Sequence, residues 1–260
     1  MAQKFDGINF DVSVDKSVVT QTRIPAINTD STLDAPSVVR ANQAVSREHP
    51  EGSVKSGYSE KHKDYTVLQQ HVMFWDRDMD GHIWPLDTYR GFRELGFNIL
   101  FSLLAVLIVH INFSYPTRLG LSYFPDPFFR VYVRDIHKAK HGSDSGTYDT
   151  EGRFAPQNFE NVFAKYDSDR DGAISLSDIF RLMKGQRVAA DPFGWGAALF
   201  EWGTTWLLLQ KDGKVYKEDL RQLYDGSLFW RIREQRKQPK GWQQGYGLGG
   251  DGFVGSVKVF

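Results

Sequence analysis

The sequence predicts a mainly α protein: paired EF-hands separated by an inserted apolar, proline-containing hairpin that anchors in a membrane. Three observations predict it. First, Asp76, Asp78 and Asp80 alternate ahead of Gly81, Ile83 and Asp87, and Asp167, Asp169, Asp171, Gly172, Ile174 and Asp178 repeat those offsets after a shift of 91 residues, Asp76 to Asp167. Alternating carboxylates closed by a glycine suit calcium, a hard cation that takes several oxygens from a loop turning sharply at its sixth position. Second, residues 95–117 contain no Asp, Glu, Lys or Arg. Third, Tyr115, Tyr123, Phe124, Phe128, Phe129 and Tyr132 crowd around Pro116, Pro125 and Pro127, an aromatic density that belongs at a membrane interface.

In chain order, residues 1–60 are polar with scattered single hydrophobics and no sustained period, so they read as a loosely docked arm. Residues 61–94 form the first hand: an entering helix from His62 to Trp75, the calcium loop, and an exit helix to about Leu95. Position 7 of each loop, His82 and Ala173, offers only its backbone carbonyl. Position 12 is Asp87 or Asp178 rather than Glu; one methylene shorter, it predicts weaker calcium binding or more tolerance of magnesium. EF-hands fold as pairs, so Ile83 and Ile174 are expected to form a short strand-like contact between the two loops. The repeat extends into the flanks, pairing Leu68 with Phe159, Val72 with Phe163, Trp75 with Tyr166, Tyr89 with Phe180 and Phe92 with Met183. His71 matches Val162 and lies at helical spacing from Leu68 and Trp75, so it faces inward, either as a packed core histidine or as a ligand.

Residues 95–129 are the anchor. The apolar centre, Ile99 to Ile111, falls short of the roughly 20 residues that span a bilayer, and Asn112 and Pro116 are expected to close it. A helix that dips in and returns competes with a buried core helix; the aromatic collar, costly to leave in water, favours the dip. Residues 130–238 form the C-terminal domain. Its first part sets Arg130, Arg134, His137, Lys138, Lys140 and His141 around Asp135, a cationic strip for anionic headgroups or an ordinary solvated face. His137 and His141 lie four apart, with Gly142 placed to close a helix behind them; two imidazoles on one helical face suit a metal, zinc as well as haem. The second hand runs from Asn158 to Arg187. Pro192 to Leu209 is apolar, with Trp195, Trp202 and Trp206 for core packing and glycines that admit a close backbone or a flat ligand. Lys214 to Arg236 is helical and charged, and residues 239–260 are a Gly-rich tail.

Composition narrows the function. The chain has 32 basic and 32 acidic residues, so no basic excess points to nucleic acid, and near-neutrality suits life against another surface and leaves a homo-oligomer open. It has no cysteine, which excludes disulfides, thiol nucleophiles and a thiolate-held haem. Met1 to Phe10 lacks a secretory pattern, so a cytosolic origin is expected.

The stretches QQHVMFWDRDMDGHIWPLDTYRGFRELG (Gln69 to Gly96), DIHKAKHGSDSGTYDTEGRF (Asp135 to Phe154) and YDGSLFWRIREQRK (Tyr224 to Lys237), with the prolines of the hairpin, resemble the caleosin family of plant and fungal peroxygenases, in particular a fungal-type member. The resemblance implies a calcium-binding protein with haem b at the cytosolic face of lipid droplets and endoplasmic reticulum. Such enzymes move one oxygen from a fatty acid hydroperoxide to an unsaturated fatty acid, giving an epoxide, or to a small acceptor. It maps haem ligation onto His71 and His141, with His137 in reserve, and His141 serving as ligand or as distal acid/base. It also implies contact with a phospholipid monolayer or membrane. The second loop is complete here, so two calcium ions are expected. The rival is a non-enzymatic, calcium-regulated coat or tether of lipid droplets, in which the histidines only pack.

Overall fold

The computed structural model describes residues 3–5, 8–10, 33–54, 57–238 and 255. A short hairpin of β1 (Gln3–Phe5) and β2 (Ile8–Phe10) comes first. The stretch read as a loose arm is docked from residue 33: Ala44 and Val45 are buried, and Arg40 exchanges backbone hydrogen bonds with Phe154. The Gly-rich tail lies outside the described residues except for Gly255, which bridges to Phe97.

After α1 (Tyr58–Lys61), the first hand is α2 (Val67–Val72), the acidic loop, β3 (His82–Ile83) and α3 (Pro85–Glu94). The entering helix is shorter than expected because Thr66 and Gln69 form a capping box that starts it at Val67. Next come α4 (Ile99–Arg118), β4 (Val131–Tyr132) and a 3-10 helix, Val133–Ala139. The second hand is α5 (Pro156–Tyr166), β5 (Ala173–Ser175) and α6 (Leu176–Gln186), followed by α7 (Pro192–Leu209), β6 (Lys214–Tyr216), α8 (Lys217–Tyr224) and α9 (Ser227–Arg236).

The loops do not pair with each other as expected. Ile83 lies opposite Val131 in the antiparallel pair β3–β4, and Ile174 lies opposite Val215 in β5–β6. Each loop has a nearer apolar partner. Gly213, Val215 and Asp219 repeat the spacing of Gly172, Ile174 and Asp178, so α7–β6–α8 keeps a hand's outline without the acidic triad. The first loop is instead closed by the strand leaving the hairpin. One cluster of buried side chains, including Phe92, Phe159, Ile174, Leu208, Leu220 and Ile232, spans both hands, and a smaller one, including Leu68, Ile83, Val131 and Ile136, lies beneath the first loop.

Asn112 and Pro116 do not end α4, which runs on to Arg118. Proline removes one ladder bond, but Leu119 N–H still reaches the Tyr115 carbonyl, so the helix resumes beyond it. The chain turns only after this, around Pro125 and Pro127, where Asp126 accepts from Arg130 Nε at 2.7 Å and from the Tyr132 hydroxyl at 3.0 Å. The helix buries several of its polar side chains and leaves large apolar ones outside, the reverse of a helix in water. Ser102, His110, Ser114 and Thr117 are buried, while Leu100 (72% exposed), Leu103, Leu104, Leu107 and Ile111 face outward. His110 ties it down: Nδ1–H donates to the Phe129 carbonyl at 2.6 Å, and Nε2 accepts from the Thr88 hydroxyl at 2.8 Å.

Candidate active site

A cavity of about 620 Å³ lies among α2, α3, α4, α7 and α8, within the range of cofactor and substrate pockets. Its lining is mostly apolar and includes Trp75, Phe92, Val109, Phe113, Phe200 and Leu208. His71 and His141 both line it, and His137 is not among the lining residues. The expected helical face shared by His137 and His141 does not form. The 3-10 helix stops at Ala139, and Lys140 is extended (φ −63°, ψ 141°), so His141 leaves on a different course and Gly142 closes no helix.

The last turn of α8 fixes the state of His71. Its Nδ1–H donates to the Leu223 carbonyl at 2.7 Å, and a carbonyl can only accept, so the lone pair is on Nε2, the nitrogen left to the cavity. Phe229 packs edge-on at 5.2 Å, with Trp75 and Tyr148 on other sides. Burial lowers the imidazole pKa below its ordinary value, against the opposing pull of the Leu223 bond and the charge of Glu201, so the ring stays neutral. Gly226 presses from behind: a Cβ there would lie 2.5 Å from the Gln70 carbonyl oxygen and 2.9 Å from His71 Cα.

The segment after His141 holds both the histidine and α7. Ser143 Oγ donates to Asp191 at 2.7 Å, and Asp191 caps α7 through Gly194 N–H. Ser145 bonds the Tyr224 hydroxyl at 2.9 Å, and Tyr148 OH donates to the Tyr224 carbonyl at 2.5 Å. His141 Nε2 lies 3.3 Å from Glu201 Oε2. Burial works to lower its pKa, but the bond to Glu201 and that carboxylate's charge prevail and raise it. Sequence reasoning passed over Glu201, Leu223 and Gly226. Glu201 did carry a signal, as the one charged residue between Pro192 and Leu209.

The cavity's donor set fits a haem. A neutral imidazole offers one free nitrogen, no thiolate exists, and Trp75 Nε1, Thr204 Oγ1 and His141 Nδ1, all on lining residues, are buried without hydrogen-bond partners among the described residues. The acidic loops fit calcium. Oxygens of Asp76, Asp78 and Asp80 approach within 4.8 Å of one another, as do those of Asp167, Asp169 and Asp171. Gly81 (φ 84°) and Gly172 (φ 80°) make the turns, and His82 and Ala173 occupy position 7 in strands. Asp87 and Asp178 accept from the backbone N–H groups of Trp84 and Ser175 at the start of the exit helices.

Residues 63–233 match the family model described as Caleosin related protein. A peroxygenase of Lilium longiflorum is 37% identical over 84% of this chain and 89% of its own length. Probable peroxygenase 4 of Arabidopsis thaliana is 37% identical over 71% of this chain and 94% of its own. A probable inactive peroxygenase-like protein of Arabidopsis thaliana is 28% identical over 56% and 70%. No solved structure matches. The chain belongs to the caleosin family and is an enzyme of the peroxygenase kind.

Proposed function

We propose that this protein is a calcium-dependent haem peroxygenase that moves one oxygen from a fatty acid hydroperoxide to an unsaturated fatty acid or small acceptor, at the cytosolic surface of lipid droplets and endoplasmic reticulum. The observation that carries the reading is His71: a neutral imidazole, its Nδ1 tied to the Leu223 carbonyl and its Nε2 free on the wall of an apolar cavity. His71 would hold haem b through Nε2, and the haem supplies cleavage of the hydroperoxide O–O bond. The chain's own residues bind and orient the reactants. Phe92, Phe200 and Leu208 exclude water and seat an acyl chain, while His141 and Glu201 supply a proton-handling pair on the same wall. Ile108, Val109 and Phe113 of α4 also line the cavity, so the helix proposed to enter lipid forms part of the substrate pocket.

His71→Ala should abolish the Soret band and hydroperoxide-dependent epoxidation of purified, haem-supplied protein while leaving the far-UV circular dichroism unchanged. Wild-type protein showing neither colour nor oxygen transfer would leave the coat or tether role. The anchor has its own test. Leu104 and Leu107 are exposed on α4, and replacing both with Asp should strip the protein from phospholipid-coated oil droplets in a flotation assay. Unchanged flotation would contradict insertion of that face.

A further inference from the structure

We propose that the outward face of α7 is a second lipid-contact surface, seated on an anionic phospholipid monolayer beside α4, and that the cavity opens there, so that its substrates enter from lipid. The inference rests on the lipid-surface part of the proposed function and adds an element to it. Trp195 (40% exposed) and Leu199 (58%) stand one helical turn apart and do not line the cavity, so they face outward. Phe193 and Gly196 are exposed as well, yet both line the cavity, so the outward apolar face runs onto the cavity's rim. From Pro192 to Phe200 the helix carries no charge. An exposed apolar face of this kind marks a contact surface.

Three observations make lipid the occupant. The face continues that of α4: Phe200 stacks on Phe101 of α4 with ring centroids 6.2 Å apart, and α4 adds Ile108, Asn112 and Phe113 to the cavity wall while turning Leu103, Leu104 and Leu107 outward. Its border is cationic. Lys184 is exposed at the end of α6, and the Arg187 guanidinium lies over the Trp195 ring at 5.5 Å. Asp191 is the only acid between Lys184 and Phe200, and its carboxylate is held by Ser143 and the Gly194 N–H. Tryptophan bordered by Lys and Arg suits the headgroup level of an anionic surface. Finally, Trp195 Nε1–H donates to the Val188 carbonyl at 2.8 Å, which satisfies the ring's one polar atom and leaves its apolar body for lipid. Among the described residues α4 is the one helix long and apolar enough to cross a membrane, so α7 lies along the surface. An acyl hydroperoxide dissolved in the monolayer then meets Phe193 and Phe200 at the rim without passing through water, a saving that grows with every methylene.

The chain has no cysteine, so Leu199→Cys and, as reference, Leu104→Cys can each carry a single NBD fluorophore. On oil droplets coated with phosphatidylcholine and phosphatidylserine, both labels should shift to the blue and be quenched by nitroxides on the acyl chains. A label at 199 that stays in water while the one at 104 enters lipid overturns this inference alone. Two labels that stay in water overturn the lipid-surface reading with it. A label at 199 already shielded before lipid is added would put a second copy of the chain on this face, and also overturns the inference. Lys184→Glu with Arg187→Glu should weaken binding to these droplets about 10- to 100-fold and leave binding to phosphatidylcholine droplets within about twofold; an equal effect on both overturns the anionic match. Haem-loaded Leu199→Asp should raise KM about tenfold for a fatty acid hydroperoxide carried in droplets, with kcat unchanged and KM for tert-butyl hydroperoxide in water within about twofold of wild type. An unchanged KM for the droplet-borne substrate overturns the entry route.

Discussion

Gly226→Ala should cost the protein both its haem site and a large part of its stability. Gly226 sits at φ 78°, where an L side chain is strained by about 1–2 kcal/mol. The added Cβ would also lie 2.5 Å from the Gln70 carbonyl oxygen and 2.9 Å from His71 Cα, both backbone atoms that no rotamer change relieves. Overpacking of that kind typically costs about 1–3 kcal/mol more. The strained neighbours include His71 and the turn whose Leu223 carbonyl sets its tautomer. A melting temperature lower by roughly 5–15 °C is expected, with haem uptake lost well below it. Gly57 supplies the control. It has nearly the same φ, 72°, and also caps a helix, but nothing lies within 4 Å of its would-be Cβ. Gly57→Ala should show only the smaller strain penalty and bind haem normally. Equal losses in the two variants would show that the close approach to His71 is irrelevant.

That contrast marks what the sequence could and could not reveal. The acidic loops were legible because a cation site of this kind is written over a few residues: Asp76, Asp78, Asp80 and Gly81 stand at fixed spacing whatever the rest of the chain does. The apolar stretch was legible because a run without charge needs no partner to be recognised, but it continues as one helix to Arg118 instead of closing at Asn112 and Pro116. Strand pairing was not, since β3 and β4 are two residues each and their pairing is chosen by packing after the chain has turned. The His137–His141 face failed because an i,i+4 argument presumes an α-helix, and the chain has a kink at Asp135 and an extended Lys140. His71 was picked out as an inward imidazole, yet what makes it useful, the Leu223 carbonyl, lies 152 residues away, where no local pattern reaches. Glu201 stood out as the single charge in the stretch from Pro192 to Leu209, but nothing local ties it to His141, 60 residues away.

The two calcium loops should differ in affinity, and Lys214 is the reason. In the second loop Lys214 Nζ lies 2.5 Å from both Asp169 and Asp171, and Arg181 pairs with Asp178. That lysine's hydrogen bond is the first cause of the lowered Asp169 pKa. In the first loop, among the described residues, only His82 approaches the triad, at 3.3 Å from Asp80. Asp76 is raised by burial, and the neighbouring Asp80 and Asp78 add to the effect. A raised carboxylate is one the fold prefers protonated. As pH climbs past the carboxylate range, its ionisation opposes folding unless a cation arrives, so calcium should raise the melting temperature more at neutral pH than at acid pH. An ion entering the second loop must first displace an ammonium already in place, so the first loop should fill at lower calcium. Calorimetry on wild type should resolve a tight and a weak site. Asp76→Asn should weaken the tight one on the order of 100-fold, since Asp76 is the buried first ligand of its loop. Lys214→Met should strengthen the weak site about tenfold. His71 stands five residues before Asp76 in the same hand, so Asp76→Asn should also weaken haem uptake, and Lys214→Met should leave it alone. Identical isotherms for wild type and Lys214→Met would show that the lysine does not compete with the ion.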